Sequence, residues 1–465
     1  MASGNEHDVY LVSGVEPEIA AYAMARYSRS ALSLRESLHE LDEQKAEKFL
    51  NTFYFQYGHR SIADLAHLSF AIERLSILTA IEVADEPRWD GQERSTRYQQ
   101  FRTSGYVTPA ELEQEAGYGA AMEALLAAYE GVSAQVAEEL EGRHARPEAM
   151  KPEAYRRTLR ARAFDASRYL LPLGTATSLG QIVSARTLEA QIVRLLSSPW
   201  SECRAVGAAL RRAAGAPGAV PTLVKYTDPN PYQQQARAAL EQAAAELLAG
   251  AAPDSTPGVR LETPATLEIE LAASLLYPHA RHSYGQILAA VGALPEARRA
   301  EIIALERGLR GAHDELARPW QAGYAFQFDI LMDIGGFRDL HRHRRCVQLR
   351  QGYTAAHGYD TAPAVEQSAA HGAYRAAMEA AGAWVAARPE AAVYALPLGY
   401  RTRSLFKMDL AQLAYIAELR TQPGGHLSYR LAAWAMYEAL RARHPELARG
   451  LRVTDPRQAS DPLIR

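Results

Sequence analysis

Three short segments recur in the same order along the 465 residues, and this repetition limits what the chain can fold into more than any other feature. Ala25-Arg26-Tyr27-Ser28 returns as Ala280-Arg281-His282-Ser283, an offset of 280 − 25 = 255. Leu68-Ser69-Phe70-Ala71-Ile72 resembles Phe326-Gln327-Phe328-Asp329-Ile330, and both alternate apolar and polar as half-buried strands do. Leu171-Pro172-Leu173-Gly174 returns as Leu396-Pro397-Leu398-Gly399, an offset of 396 − 171 = 225. The change of offset leaves 30 extra residues between the strand and the Leu-Pro-Leu-Gly segment of the first copy. Periods of this length predict two tandem copies of one domain rather than a solenoid of small units.

The seam is expected where composition shifts. From Thr227 the chain reads Thr-Asp-Pro-Asn-Pro-Tyr, then an alanine-rich stretch from Gln233 to Leu248, then Gly-Ala-Ala-Pro-Asp-Ser-Thr-Pro-Gly. Such punctuation predicts a linker with a short helix over 227–260 between domains at 1–226 and 261–465. Helical spacing or composition marks Glu16–Ser28, Leu41–Tyr57, Pro109–Leu140, Glu153–Leu171 and Thr187–Ala214 in the first half. In the second it marks Glu268–Leu276, Glu296–Leu316, Val365–Ala387, Asp409–Leu419 and Ser428–Arg443. Strands are few and lie beside charged motifs. The expected class is α+β, two helix-rich domains each with a small sheet.

Charge narrows the function. The 51 basic and 54 acidic residues leave a net charge of −3, which argues against a chain dedicated to nucleic acid. Two cysteines, Cys203 and Cys346, are too few for a disulfide framework or a dedicated zinc site and fit a reducing cytoplasm. Residues 1–14 carry no basic, then apolar, signal pattern, and no uncharged apolar run reaches the roughly 18 residues of a spanning helix. The phosphate-loop, dinucleotide-fold, zincin and hydrolase fingerprints are all missing.

The densest chemistry follows the second-half strand: Phe337-Arg338-Asp339-Leu340-His341-Arg342-His343-Arg344-Arg345. A guanidinium offers a planar fork of donors matched to phosphate oxygens, so Arg342 and Arg344 around His343 suit a phosphate or dinucleotide ligand. Three other readings compete: a metal held by His341 and His343, a nucleic-acid patch, and a solvated basic edge that protects a strand from aggregation. For Ser61 the plain alternative is a helix cap, and for Glu93 with Arg97 a surface ion pair at helical spacing.

The segment from Phe326 to Tyr353, FQFDILMDIGGFRDLHRHRRCVQLRQGY, resembles the signature region of the flavin-dependent thymidylate synthases, in which a strand leads into Arg-His-Arg and then a Ser-x-Arg-Tyr element. The first half resembles it differently: Gly58-His59-Arg60-Ser61 is similar to the family's Gly-His-x-Ser/Thr, and Glu93-Arg94-Ser95-Thr96-Arg97-Tyr98 to its Glu-x-Ser-x-Arg-Tyr. The copies depart from the pattern in complementary ways. Where the first should read Arg-His-Arg it has Asp85-Glu86-Pro87, while the second keeps Arg342-His343-Arg344 but has Leu349-Arg350-Gln351-Gly352-Tyr353 for the Ser-x-Arg stretch. Counted from Leu-Pro-Leu-Gly, two later phosphate-binding arginines of the family fall on Arg403 and Arg420, against Ser178 and Leu195 in the first half. The Asn-Ala-Arg cofactor element survives as Ser184-Ala185-Arg186 and is replaced by Asp409-Leu410-Ala411. Asp339 stands where the family usually has Gln.

The resemblance implies FAD as cofactor, with His59, Ser61, Arg186, Arg342, His343 and Arg344 around it, and a nucleotide cradle of Glu93, Ser95, Arg97, Arg403 and Arg420. It implies reductive methylation of dUMP to dTMP with methylenetetrahydrofolate and NADPH, by an FAD-dependent methyltransferase. The sites would be composites of the two halves, in a cytoplasmic homodimer of fused chains imitating the family's tetramer. The flavin would carry the chemistry, so no protein nucleophile is assigned. Two alternatives stand beside this one: an inactive paralogue that binds flavin or nucleotide, and a related flavin-dependent modification of a nucleotide.

Overall fold

In the computed structural model, residues 10–26, 32–39, 60–311, 314–458 and 463 are described. Seven strands lie among them: β1 (His67–Ser76), β2 (Asp90–Glu93), β3 (Ala176–Ser184), β4 (Gly258–Leu261), β5 (Phe326–Asp333), β6 (Val347–Arg350) and β7 (Arg401–Met408). They form two antiparallel sheets, ordered β1-β3-β2 and β4-β5-β7-β6. Without β4, the second sheet repeats the first. Helices dominate around both, so the chain is α+β with two tandem helix-rich domains.

The equivalence extends to the helix caps. β1 runs into the helix Ile77–Ala84, whose first turn is capped by Ser76 Oγ accepting from Thr79 N at 3.0 Å. β5 runs into Ile334–Leu340, capped by the Asp333 carboxylate accepting from Gly336 N at 2.6 Å. These caps are 333 − 76 = 257 residues apart. Ser184 and Asp409, 225 apart, likewise cap Ala185–Leu196 and Leu410–Arg420 at the ends of β3 and β7. A short acceptor side chain there satisfies amides that have no partner inside the helix.

The two Leu-Pro-Leu-Gly segments pair with each other. Leu173 N donates to Leu396 O and Leu398 N to Leu171 O, both at 2.9 Å; Gly174 N donates to Tyr394 O at 2.6 Å and Gly399 N to Tyr169 O at 2.9 Å. Each bond has its mate 225 residues away, with Pro172 opposite Pro397. This reciprocity is the mark of a two-fold axis, here joining two halves of one chain. One hydrophobic core runs through the axis, holding Leu78, Tyr129 and Leu173 of one half with Phe337, Tyr394 and Leu398 of the other.

A second core belongs to the later half alone. The helices Pro231–Leu247, Leu267–Leu276, Tyr284–Gly292 and Glu296–Arg307 cover the far face of the second sheet through Leu240, Leu276, Ile287 and Ile302 against Val347, Leu349 and Leu405. The alternation in Phe326–Ile330 suggested a half-buried strand, but every residue of β5 is buried because both faces are covered. The stretch expected as a linker, 227–260, carries the first of these packed helices and the start of β4.

Expected helices recur with shifted ends: Pro17–Ala25, Tyr118–Arg143, Pro152–Ser167, Leu267–Leu276, Glu296–Arg307, His371–Ala386, Leu410–Arg420 and Leu427–Arg443. The single helix expected over Thr187–Ala214 is two, Ala185–Leu196 and Ser201–Ala214, parted at Ser198-Pro199 because proline lacks an amide to continue the first. The expected helix Leu41–Tyr57 lies outside the described residues. Among the described residues, no helix is long and apolar enough to cross a membrane.

Candidate functional site

A cavity of about 900 Å³ opens between the halves. The first half contributes Asp64, Pro87–Asp90 and the β3–helix junction at Ile182–Thr187; the second contributes Arg342–Arg345 and one face of Leu410–Arg420. The basic motif reaches this wall because Ile334–Leu340 ends at its start, so Arg342 to Arg345 leave the helix as a turn.

The charge pattern is unusual. Arg97, Arg168, Arg194, Arg318, Arg338, Arg350, Arg401 and Arg403 each have a carboxylate within 4.0 Å. Arg342, Arg344, Arg345 and Arg420, all in the cavity wall, have none among the described residues. Arg344 instead lies over the Trp89 ring at 4.6 Å, and Arg420 over Tyr429 at 5.3 Å. Burial lowers the Arg344 pKa, and Arg318 and Arg342 add to this although Asp85 and Glu93 oppose it. Positive charge is in excess here, as an anion site requires.

His343 faces inward among these cations. Arg420 Nε donates to its Nε2 at 2.6 Å, and Gln412 Nε2 lies 3.4 Å from Nδ1. Burial, with Arg420 and Arg344 beside it, pushes its pKa down to about 3, so the ring is neutral and accepts. Tyr415 and Ile182, both more than half or nearly half exposed, give the cavity apolar surface beside the guanidinium groups. The combination can hold a ligand with a flat ring and several negative charges.

The remaining candidate residues divide. Arg186 pairs with Asp64 at 3.2 Å, so it borders the cavity; Ser61 is exposed on the same short turn, Arg60–Asp64. His59 lies outside the described residues. Glu93 binds Arg338 at 2.6 Å, with both side chains 8% exposed. Burial opposes its charge, but Arg338 and Arg342 outweigh this and lower its pKa. Ser95 Oγ accepts from Arg97 N at 3.3 Å. Arg97 binds Asp165 at 2.8 Å, and its Nη1 reaches Tyr429 Oη at 3.5 Å, so Arg97 and Arg420 flank one tyrosine.

Arg403 does not join them. It lies on β7 facing the second core, where it donates to Asp329 at 2.6 Å and to Asp254 O, with 3% of its side chain exposed. The expectation that it would share a nucleotide cradle with Glu93, Ser95, Arg97 and Arg420 is corrected: strand alternation turns it to the face covered by the extra helices. His341 and His343 also part, His341 Nδ1 lying 2.7 Å from Gln348 Oε1 and its Nε2 3.6 Å from Asp85. Among the described residues, no three His, Cys, Asp or Glu side chains are grouped to hold a metal ion.

Sequence reasoning missed Trp89, Arg345 and Tyr415. Arg345 adjoins the recognised motif and was legible; Trp89 and Tyr415 carry no local signal, since only the fold brings them to it. Arg338 was legible too, four residues before Arg342.

The family profile of the thymidylate synthase complementing protein matches residues 10–215 and 264–446. The chain belongs to this family. A UPF0159 protein of Chlamydia pneumoniae is 27% identical over 471 residues, covering 92% of this chain and 88% of its own. A flavin-dependent thymidylate synthase of Clostridium tetani is 27% identical over 176 residues, 37% of this chain and 67% of that protein. Among solved structures, a flavin-dependent thymidylate synthase from Helicobacter pylori, complexed with FAD and dUMP, is 17% identical, covering 46% of this chain and 96% of that one at a TM-score of 0.31.

Proposed function

We propose that the chain is an FAD-dependent enzyme of nucleotide biosynthesis that arose by tandem duplication, with the cavity between its halves as the cofactor site. Four guanidinium groups in one cavity wall, without carboxylate partners among the described residues, are the observation that carries this reading. Its volume, about 900 Å³, is within the range of cofactor pockets. Arg342, Arg344 and Arg345 would hold the phosphates, neutral His343 would keep Arg420 aimed, and Tyr415 with Ile182 would shield a ring face. Arg186 and Ser61 would close the rim.

Bound there, the flavin supplies hydride chemistry, while the chain binds, orients and excludes water. Arg97 and Arg420, on either side of Tyr429, would receive the phosphate of a pyrimidine nucleotide, with Glu93 and Ser95 behind them. The reaction read from the family is reductive methylation of dUMP to dTMP, with methylenetetrahydrofolate and NADPH, in a cytoplasmic dimer of fused chains. The test is the visible spectrum of the purified protein and its FAD affinity. Wild type is expected to bind FAD, and Arg342→Ala with Arg344→Ala to bind at least ~100-fold more weakly, two charge-assisted contacts being lost. A colourless protein indifferent to FAD defeats the reading. FAD binding without rescue of a thymidine-requiring host would leave a binding protein.

A further inference from the structure

The pseudo-two-fold axis gives the open cavity a twin. From the ends of β1 and β5 onward, shifting by 257 residues carries Pro87–Asp90 onto 344–347, and Arg342, His343 and Arg344 onto Asp85, Glu86 and Pro87. All these mates line one hollow, as their counterparts line the cavity. Its volume, however, is only about 50 Å³.

What fills the space is an ion pair between the halves. Arg318, on the turn before β5 as Arg60–Asp64 is the turn before β1, donates Nη1 to Asp85 Oδ1 at 2.6 Å and Nη2 to Asp85 O at 2.9 Å. Asp85 is the mate of Arg342, so the position that offers a free cation in the open cavity offers a neutralised anion in the twin. Burial opposes the Asp85 charge, yet Arg318 and His341 hold its carboxyl well below the usual range. Glu86, the mate of His343, is drawn off to Arg194 at 2.8 Å. Two changes, one in each half, thus meet in one hollow.

We infer that only one of each chain's two related hollows takes a phosphate-bearing ligand, its twin being closed by the Arg318–Asp85 pair, which occupies the space and cancels the charge such a ligand needs. This rests on the reading of the open cavity as a phosphate site, and not on flavin chemistry. Titrating the full chain with inorganic pyrophosphate in a calorimeter tests it directly. One site per chain is expected; two equivalent sites, or none, would overturn the inference.

Two variants locate the site. Arg342→Ala with Arg344→Ala is expected to weaken pyrophosphate at least ~100-fold, and undiminished binding would overturn the assignment. Asp85→Asn with Arg318→Ala removes both charges of the plug together, so no unpaired buried charge is left. It is expected to keep one site of unchanged affinity; loss of binding by this variant, folded by circular dichroism, would make the twin the ligand site and overturn the inference. A chain that binds one pyrophosphate but no FAD would defeat the flavin reading alone.

Discussion

His343 is neutral in the fold and cationic in an unfolded chain at mildly acidic pH. Its folded pKa lies at about 3, below the ordinary histidine value, so between them the unfolded state binds more protons and stability falls as pH drops. His357, pushed down to about 4 by burial and then by Arg403, Arg281 and Arg401, acts in the same direction. The melting temperature is expected to fall between pH 6.5 and 4, and to fall less in His343→Gln; an equal fall in both proteins would exclude this assignment. Glu93 and Arg338 supply a second prediction at this scale. Glu93→Arg sets two buried guanidinium groups together and should cost about 3–5 kcal/mol, while Glu93→Arg with Arg338→Glu recovers most of it in urea unfolding. Failure of the swap to recover would mean that the surroundings, not the pair, set the cost.

The Leu-Pro-Leu-Gly pairing is the element on which the two halves turn. A Cβ on Gly174 would stand 2.7 Å from Tyr118 Oη and 2.9 Å from Tyr394 O, and one on Gly399 would stand 2.9 Å from Met378 Cε and 3.0 Å from Tyr169 Cβ. Both glycines answer to close approach at the seam. Gly174→Ala is expected to destabilise by about 1–3 kcal/mol through overpacking, more than Gly399→Ala, whose nearest neighbour is a movable methionine end. A denaturant midpoint comparison decides the order. The repeated segment was visible in sequence at both places, but its reason was not: identical short segments report a shared need without saying that they meet each other.

Across the whole molecule, the first half fits the second better than it would fit its own copy. Glu93 of β2 meets Arg338, while Arg350, its mate on β6, meets Glu82. Pairing first half with first half would set Glu93 near Glu82, and like charges there disfavour that pairing. With the main core shared across the axis, the full chain is expected to unfold in one calorimetric transition, and two resolved transitions would contradict a common core.

Repetition, helix periodicity, the β1 and β5 strands and the basic motif around Arg342 and Arg344 were all written locally, in spacings and residue types that survive without a partner. Arg403, Asp85 and Trp89 were decided only in three dimensions. The same guanidinium is a ligand group when its strand face borders a cavity and a structural cation when a helical layer supplies Asp329. Which of two related hollows stays open depended on Arg318 reaching Asp85 across 233 residues of chain, a pairing that no local pattern encodes.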